Sequence, residues 1–231
     1  MAELIVALDV PAPDAVHPVV DGLGAEVGFY KIGLELFCAG GPAIVRELAD
    51  RGKRVFLDLK LHDIPRTVAR AVRAAAAPGV DLMTLHAAGG RAMIAAAAKA
   101  ARDCPADRRP KLLAVTMLTS LEQADLIDLG ISRGMPDQVA ALAAMALEAG
   151  ADGIVCSPRE VLRLRNALPA HAILVTPGVR PAGSALGDQK RVATPAAAVR
   201  DGATHLVVGR PILEASDPAA AARAILAEMG G

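Results

Sequence analysis

Asp58, Lys60 and Asp63 lie within six residues of one another, in the stretch Asp58-Leu59-Lys60-Leu61-His62-Asp63-Ile64-Pro65. Val55, Phe56, Leu57 and Leu59 form a short apolar run of the length of a buried strand. The strand period of two puts Asp58 and Lys60 on one face, their alpha carbons roughly 7 Å apart. Two carboxylates and an ammonium embedded in apolar sequence are costly to bury unless they pair. One reading is structural: an ion pair, with Asp63 capping the helix that Pro65 opens. The other is a charge array that works on a substrate, and the rest of the chain favours it.

Two further places suit an anion. Gly209-Arg210 follows the strand candidate His205–Val208 and precedes a short helix, where backbone N–H groups can hold a phosphate and Arg210 can add bidentate hydrogen bonds. The segment Pro177–Lys190 carries Arg180, Gln189, Gly178, Gly183 and Gly187, lacks a strong apolar pattern and has the length of a lid. The plainer readings are helix C-caps for the glycines and a solvated surface for Arg180. His86 closes a strand candidate, where a core histidine is as common as a reactive one. No second histidine or cysteine sits at ligand spacing, so no metal site is expected, and His17, His62, His171 and His205 read as unclustered.

These residues need elements to hold them. Strand candidates are Leu4–Leu8, Phe29–Ile32, Val55–Lys60, Leu82–His86, Leu112–Leu118, Gly153–Cys156, Ile173–Thr176 and His205–Val208. Between them lie segments rich in good helix formers, such as Pro42–Arg51, Pro65–Ala77, Arg91–Arg102, Asp137–Ala149, Pro158–Asn166 and Pro218–Met229. Gly40-Gly41, Gly52, Pro78-Gly79, Gly150 and Gly202 supply stops. Eight strands alternating with helices predict an α/β chain of parallel units closed into a (β/α)8 TIM barrel, one domain over residues 1–231. A doubly wound open sheet is the alternative, but no GxGxxG follows the first strand.

The barrel expectation carries its own test, because this fold works at the C-terminal ends of its strands. The polar residues fall there: Asp9, Lys31, Asp58 and Lys60, His86, Thr119 with Ser120, then Thr176, Pro177, Gly178 and Arg180, and finally Gly209-Arg210. Structural pairing alone does not explain that convergence.

Composition narrows the class of partner. Lys and Arg number 25 against 25 Asp and Glu, with no basic run, so binding to nucleic acid or an anionic membrane through bulk charge is not expected. Cys38, Cys104 and Cys156 are odd in number and widely spaced, which reads as thiols in a reducing compartment. The N-terminus lacks the regions of a signal peptide, and no apolar stretch reaches the ~18 residues of a membrane span. A cytoplasmic protein is expected.

Assembled, these motifs resemble the orotidine 5′-phosphate decarboxylase family over nearly the whole chain. The resemblance rests on LDV at Leu8–Val10, KIG at Lys31–Gly33, DLKLHDIP at Asp58–Pro65 and HAAGG at His86–Gly90. It continues through VTMLTS at Val115–Ser120, TPGVRP at Thr176–Pro181, GDQ at Gly187–Gln189 and VVGRPI at Val207–Ile212. DxKxxD alone is shared with a wider set of barrel enzymes; the full set is far more specific. Arg66 departs from the Asn of bacterial members, at the start of a helix and away from any chemical role.

The resemblance implies decarboxylation of orotidine 5′-phosphate to UMP in pyrimidine biosynthesis, without a cofactor. Lys60 would protonate carbon 6 of the pyrimidine, held by Asp58, Lys31 and Asp63 in an alternating charge array. Asp9 and Lys31 would meet the ribose hydroxyls, Thr119 or Ser120 the pyrimidine edge, and Gln189, Gly209 and Arg210 the phosphate. Pro177 and Arg180 would join from the closing loop. Asp63, Ile64 and Thr67 would reach the neighbouring subunit's site in a homodimer. The nearest other enzymes are the magnesium-dependent 3-keto-gulonate 6-phosphate decarboxylase and hexulose-phosphate synthase. Those relatives carry an acid two places before the first motif Asp and a Glu on the second strand, where this chain has Phe56 and Lys31. Losing those oxygens removes ligands that Mg²⁺ needs. A barrel that only binds nucleotide or a protein partner is a different class, and the intact Asp58, Lys60 and Asp63 argue against it.

Overall fold

The computed structural model describes residues 2–181 and 193–230. Along the chain run β1 (Glu3–Ala7), α1 (Val16–Leu23), β2 (Phe29–Gly33), α2 (Leu34–Asp50), β3 (Arg54–Leu61), α3 (Pro65–Ala75), β4 (Val80–His86), α4 (Gly90–Arg102) and β5 (Lys111–Val115). Then come α5 (Gln123–Asp128), α6 (Met135–Glu148), β6 (Gly153–Val155), α7 (Val161–Ala167), β7 (Ile173–Pro177), α8 (Pro195–Arg200), β8 (His205–Val208), α9 (Arg210–Leu213) and α10 (Pro218–Gly230). Each strand pairs in parallel with the next, and β8 returns to β1 with Glu3 opposite His205 and Val6 opposite Val208. The sheet is therefore a closed barrel, and the open doubly wound alternative falls away.

The strand period of two sorts the apolar residues into two cores. Ile5, Phe29, Phe56, Leu82, Leu113 and Val175 point inward and fill the barrel. Their neighbours, such as Val6, Tyr30, Leu57, Met83 and Leu174, point outward against the helices. Continuous apolar strands are what a parallel sheet covered on both faces requires. At the N-terminal end of the barrel, Arg54 lies over the Phe29 ring at 4.2 Å and pairs with Glu3 and Asp81, closing the floor.

The predicted strands all form, with edges shifted by a residue or two. The largest change is in β5, expected to reach Leu118 but ending at Val115, opposite Val155 of the short β6. Gly41, at φ 59 and ψ −158, breaks α2 just before Pro42, so the helix foreseen at Pro42–Arg51 is its second half. Ser157 caps a 3-10 turn over Pro158–Glu160, and only then does α7 begin. Among the described residues no helix is long and apolar enough to cross a membrane.

Candidate active site

β3 projects Phe56, Asp58 and Lys60 inward, and Leu57, Leu59 and Leu61 toward the helical shell. Phe56 belongs to the barrel filling, so Asp58 and Lys60 emerge just above it, at the mouth. Lys60 Nζ donates to Asp58 Oδ2 at 2.8 Å. Lys31 Nζ, from β2, lies 3.9 Å from the same oxygen and donates to Asp9 Oδ1 at 2.9 Å. The side chains thus alternate in sign, Asp9, Lys31, Asp58, Lys60. Asp58 is only 9% exposed, and a carboxylate so buried depends on its cations and hydrogen bonds. Gly33 leaves room for this array, since a Cβ there would lie 2.9 Å from Lys31 Nζ.

Lys60 carries backbone strain. Its φ of 50 is the only positive value at a non-glycine residue among the described residues. Such a conformation costs about 1–2 kcal/mol in an L-residue. The cause is a shift in the β3–β4 pairing between Leu57 and Leu61, the kind of bulge that re-aims a side chain beside an active site. Thr84, on β4 and fully buried, meets the strained backbone: its Oγ1 accepts from Lys60 N–H at 2.8 Å and donates to Asp58 Oδ1 at 2.9 Å. Sequence reasoning missed Thr84. Its only signal was a hydroxyl in an otherwise apolar strand, and Thr is at home in strands anyway.

Two adjoining cavities open at the mouth. One, of about 190 Å³, is lined by Lys31, Asp58, Lys60, Thr119 and Pro177 among others. The second, of about 180 Å³, is lined by Asp9, Lys31, Pro177, Arg180, Gly209 and Arg210. Lys31 and Pro177 border both, so the charge array runs into a pair of arginines. Burial lowers the affinity of the Arg180 guanidinium for its proton; the nearby positive charge of Arg210 lowers it further, against the pull of Glu214. Among the described residues the buried Arg180 Nε has no hydrogen-bond partner. Two like charges facing one cavity, one with an unmatched buried donor, suit an anion.

Not every predicted residue comes to this mouth. Thr119 lines the first cavity, whereas Ser120 is exposed and borders neither. Asp63, Ile64 and Thr67 face away on this chain, Ile64 being 66% exposed. Asp63 does not cap α3: Ile64 holds that position, and Asp63 Oδ1 accepts from the Ile64 N–H at 2.7 Å. Gln189, with Gly183 and Gly187, lies outside the described residues. Arg66 is exposed at the start of α3, as expected. The histidines need one correction: the His62 and His86 rings lie 5.5 Å apart, brought together by the β3–β4 pairing. Burial, then His62 and Lys60, hold His86 below the usual histidine range, against Asp58. Among the described residues no three His, Cys, Asp or Glu side chains converge as a metal site would require.

A family model described as "Orotidine 5′-phosphate decarboxylase / HUMPS family" matches residues 2–225. The chain is 54% identical over 231 residues to the orotidine 5′-phosphate decarboxylase of Moorella thermoacetica, covering 98% of this chain and 92% of that protein. It is 56% identical over 221 residues to the protein of the same name from an Anaeromyxobacter species, covering 96% and 95%. Among solved structures, orotidine 5′-phosphate decarboxylase from Lactobacillus acidophilus superposes with a TM-score of 0.89 at 40% identity, covering 100% of both chains.

Proposed function

The chain belongs to the orotidine 5′-phosphate decarboxylase / HUMPS family, and we propose that within it the protein converts orotidine 5′-phosphate to UMP and CO2, a step of pyrimidine biosynthesis. The bond from carbon 6 to the carboxylate breaks, and its electron pair stays on carbon 6. That pair lies in the ring plane and cannot spread into the ring carbonyls. Stabilisation is then electrostatic, from an ammonium fixed beside the carbon before the reaction begins. Lys60 is that group: it holds the developing charge, gives its proton to carbon 6 and is reprotonated from solvent. The observation that carries this reading is the Lys60 ammonium, 2.8 Å from buried Asp58 and lining the same cavity as Thr119.

The remaining roles are those the family resemblance implies, and the lining of the two cavities supports several of them. Asp9 and Lys31 take the ribose hydroxyls, and Thr119, rather than exposed Ser120, takes the pyrimidine edge. By the resemblance Gln189, Gly209 and Arg210 take the phosphate, with Arg180 and Pro177 beside it; Arg180, Gly209, Arg210 and Pro177 line one cavity. Phosphate contacts far from carbon 6 supply the energy that holds substrate against the array. The protein works as a single barrel domain in a cytoplasmic homodimer, where Asp63, Ile64 and Thr67 serve the neighbouring site. Ile64, Leu34 and Leu118 support that interface, being exposed apolar residues that follow three strands at the barrel mouth.

The reaction needs no metal. Lys31 and Phe56 line the same cavity as Lys60, and neither offers the oxygen that a hard Mg²⁺ requires. The test is to follow the loss of ultraviolet absorbance of orotidine 5′-phosphate, before and after dialysis against EDTA. Equal rates are expected. Activity lost on dialysis and restored by Mg²⁺ would move the assignment to the sugar-phosphate members of the family.

A further inference from the structure

Lys60 is held at two ends, and one hydroxyl group serves both. Its side chain reaches Asp58 Oδ2 at 2.8 Å, and its backbone N–H reaches Thr84 Oγ1 at 2.8 Å. The same Thr84 oxygen donates its proton to Asp58 Oδ1 at 2.9 Å. The contacts close a ring: Lys60 N–H to Thr84, Thr84 to Asp58, and Asp58 back to the Lys60 ammonium. Lys60 sits where the β3–β4 pairing slips, with the positive φ that the slip imposes. A strained backbone persists only where its surroundings over-determine it.

We propose that Thr84 is a positioning residue for the decarboxylation, fixing the Lys60 backbone and the Asp58 carboxylate in one geometry through a single hydroxyl. This rests on the decarboxylase reading above. Thr84 is fully buried and borders neither cavity, so it acts through Lys60 and Asp58 and not on the substrate. Without its hydroxyl, Asp58 Oδ1 loses a donor and the Lys60 N–H loses its acceptor. Asp58 is then free to turn, and Lys60 can relax toward ordinary strand geometry. Either movement withdraws the ammonium from carbon 6, and a displacement of about 1 Å can cost on the order of 10²-fold in rate.

The test compares Thr84→Val, which keeps the shape and loses the hydroxyl, with Thr84→Ser, which keeps the hydroxyl. Thr84→Val is expected to lower kcat by on the order of 10²-fold, while KM and affinity for UMP move by less than about threefold. Thr84→Ser is expected to recover most of that loss. A purely structural role would leave kcat unchanged in the folded enzyme, or lower kcat and UMP affinity together. Either result overturns the proposal. If Thr84→Val does not fold, Thr84→Cys replaces it, since a thiol is a much weaker partner of similar size to Ser. Cys is expected at least about tenfold below Ser in kcat, and equal values would overturn the proposal. Wild-type protein that binds UMP but does not decarboxylate would overturn the parent reading, and this one with it. An active wild type with an equally active Thr84→Val overturns this one alone.

Discussion

At the scale of single residues, the site is a set of charges whose partners matter more than their number. Asp58 and Lys60 were legible in the sequence because a strand's period of two puts alternate residues on one face whatever the rest of the fold does, and Lys31 because it falls near the C-terminal end of a barrel strand. Thr84 and the His62–His86 pair were not. Each depends on contacts between β3 and β4, across which no local pattern reaches. In the proposed site the anion end is Arg180 and Arg210, where burial and then the charge of Arg210 lower the hold of Arg180 on its proton. Arg210→Ala should therefore weaken UMP binding by on the order of 10²-fold and uridine binding hardly at all, because charge-assisted bonds to phosphate are the strong ones. Calorimetry with both ligands checks this. Equal losses would make Arg210 a support of the barrel.

At the scale of elements, β3 does two jobs with one strand, apolar outward and charged inward. The sequence showed the strand but not its slip against β4. Nothing in Leu57–Leu61 marks a bulge, and the positive φ falls on a lysine rather than on the glycine that would have announced it. At the other end of the barrel, β8 brings buried His205 edge-on to Phe29, 6.1 Å between ring centroids. Burial first, then Arg54 and Lys111, push the His205 imidazole below its usual range; Glu3 and Asp81 oppose them. A histidine with a depressed folded pKa binds fewer protons than in the unfolded chain. Its contribution is therefore intact above the unfolded value of about 6.5 and is lost as pH falls. His205→Gln should flatten the decline in denaturant midpoint between about pH 6.5 and 5, at fixed protein concentration. An unchanged slope would mean that other groups, His86 first among them, carry the acid sensitivity.

At the scale of the whole molecule, alternation of strand and helix was enough to foresee closure, and the register of β1 on β8 completes it. What alternation could not supply is the second copy that the proposed homodimer requires. Asp63 is three residues past Lys60 in sequence, yet on this chain it turns outward onto the Ile64 N–H. Pro65 starts α3 there and carries the chain away from its own mouth. A two-fold interface makes every contact reciprocal, so Asp63 of each copy would complete the other's array. Lys60→Ala and Asp63→Ala homodimers should each be nearly inactive. Unfolded and refolded together at equal concentration, they should regain roughly a quarter of wild-type sites, since half the dimers are mixed and each has one intact site. Mixed dimers without activity would place Asp63 in its own subunit's site.

In the proposed mechanism the Lys60 ammonium performs the chemistry while the far end of the site holds the nucleotide. The most direct measurement is turnover of orotidine 5′-phosphate by Lys60→Ala, set beside its affinity for UMP. Turnover should fall by at least about 10²-fold, the usual contribution of a positioned proton donor, with UMP affinity within about threefold of wild type. A variant that keeps more than about a tenth of wild-type turnover would contradict the account.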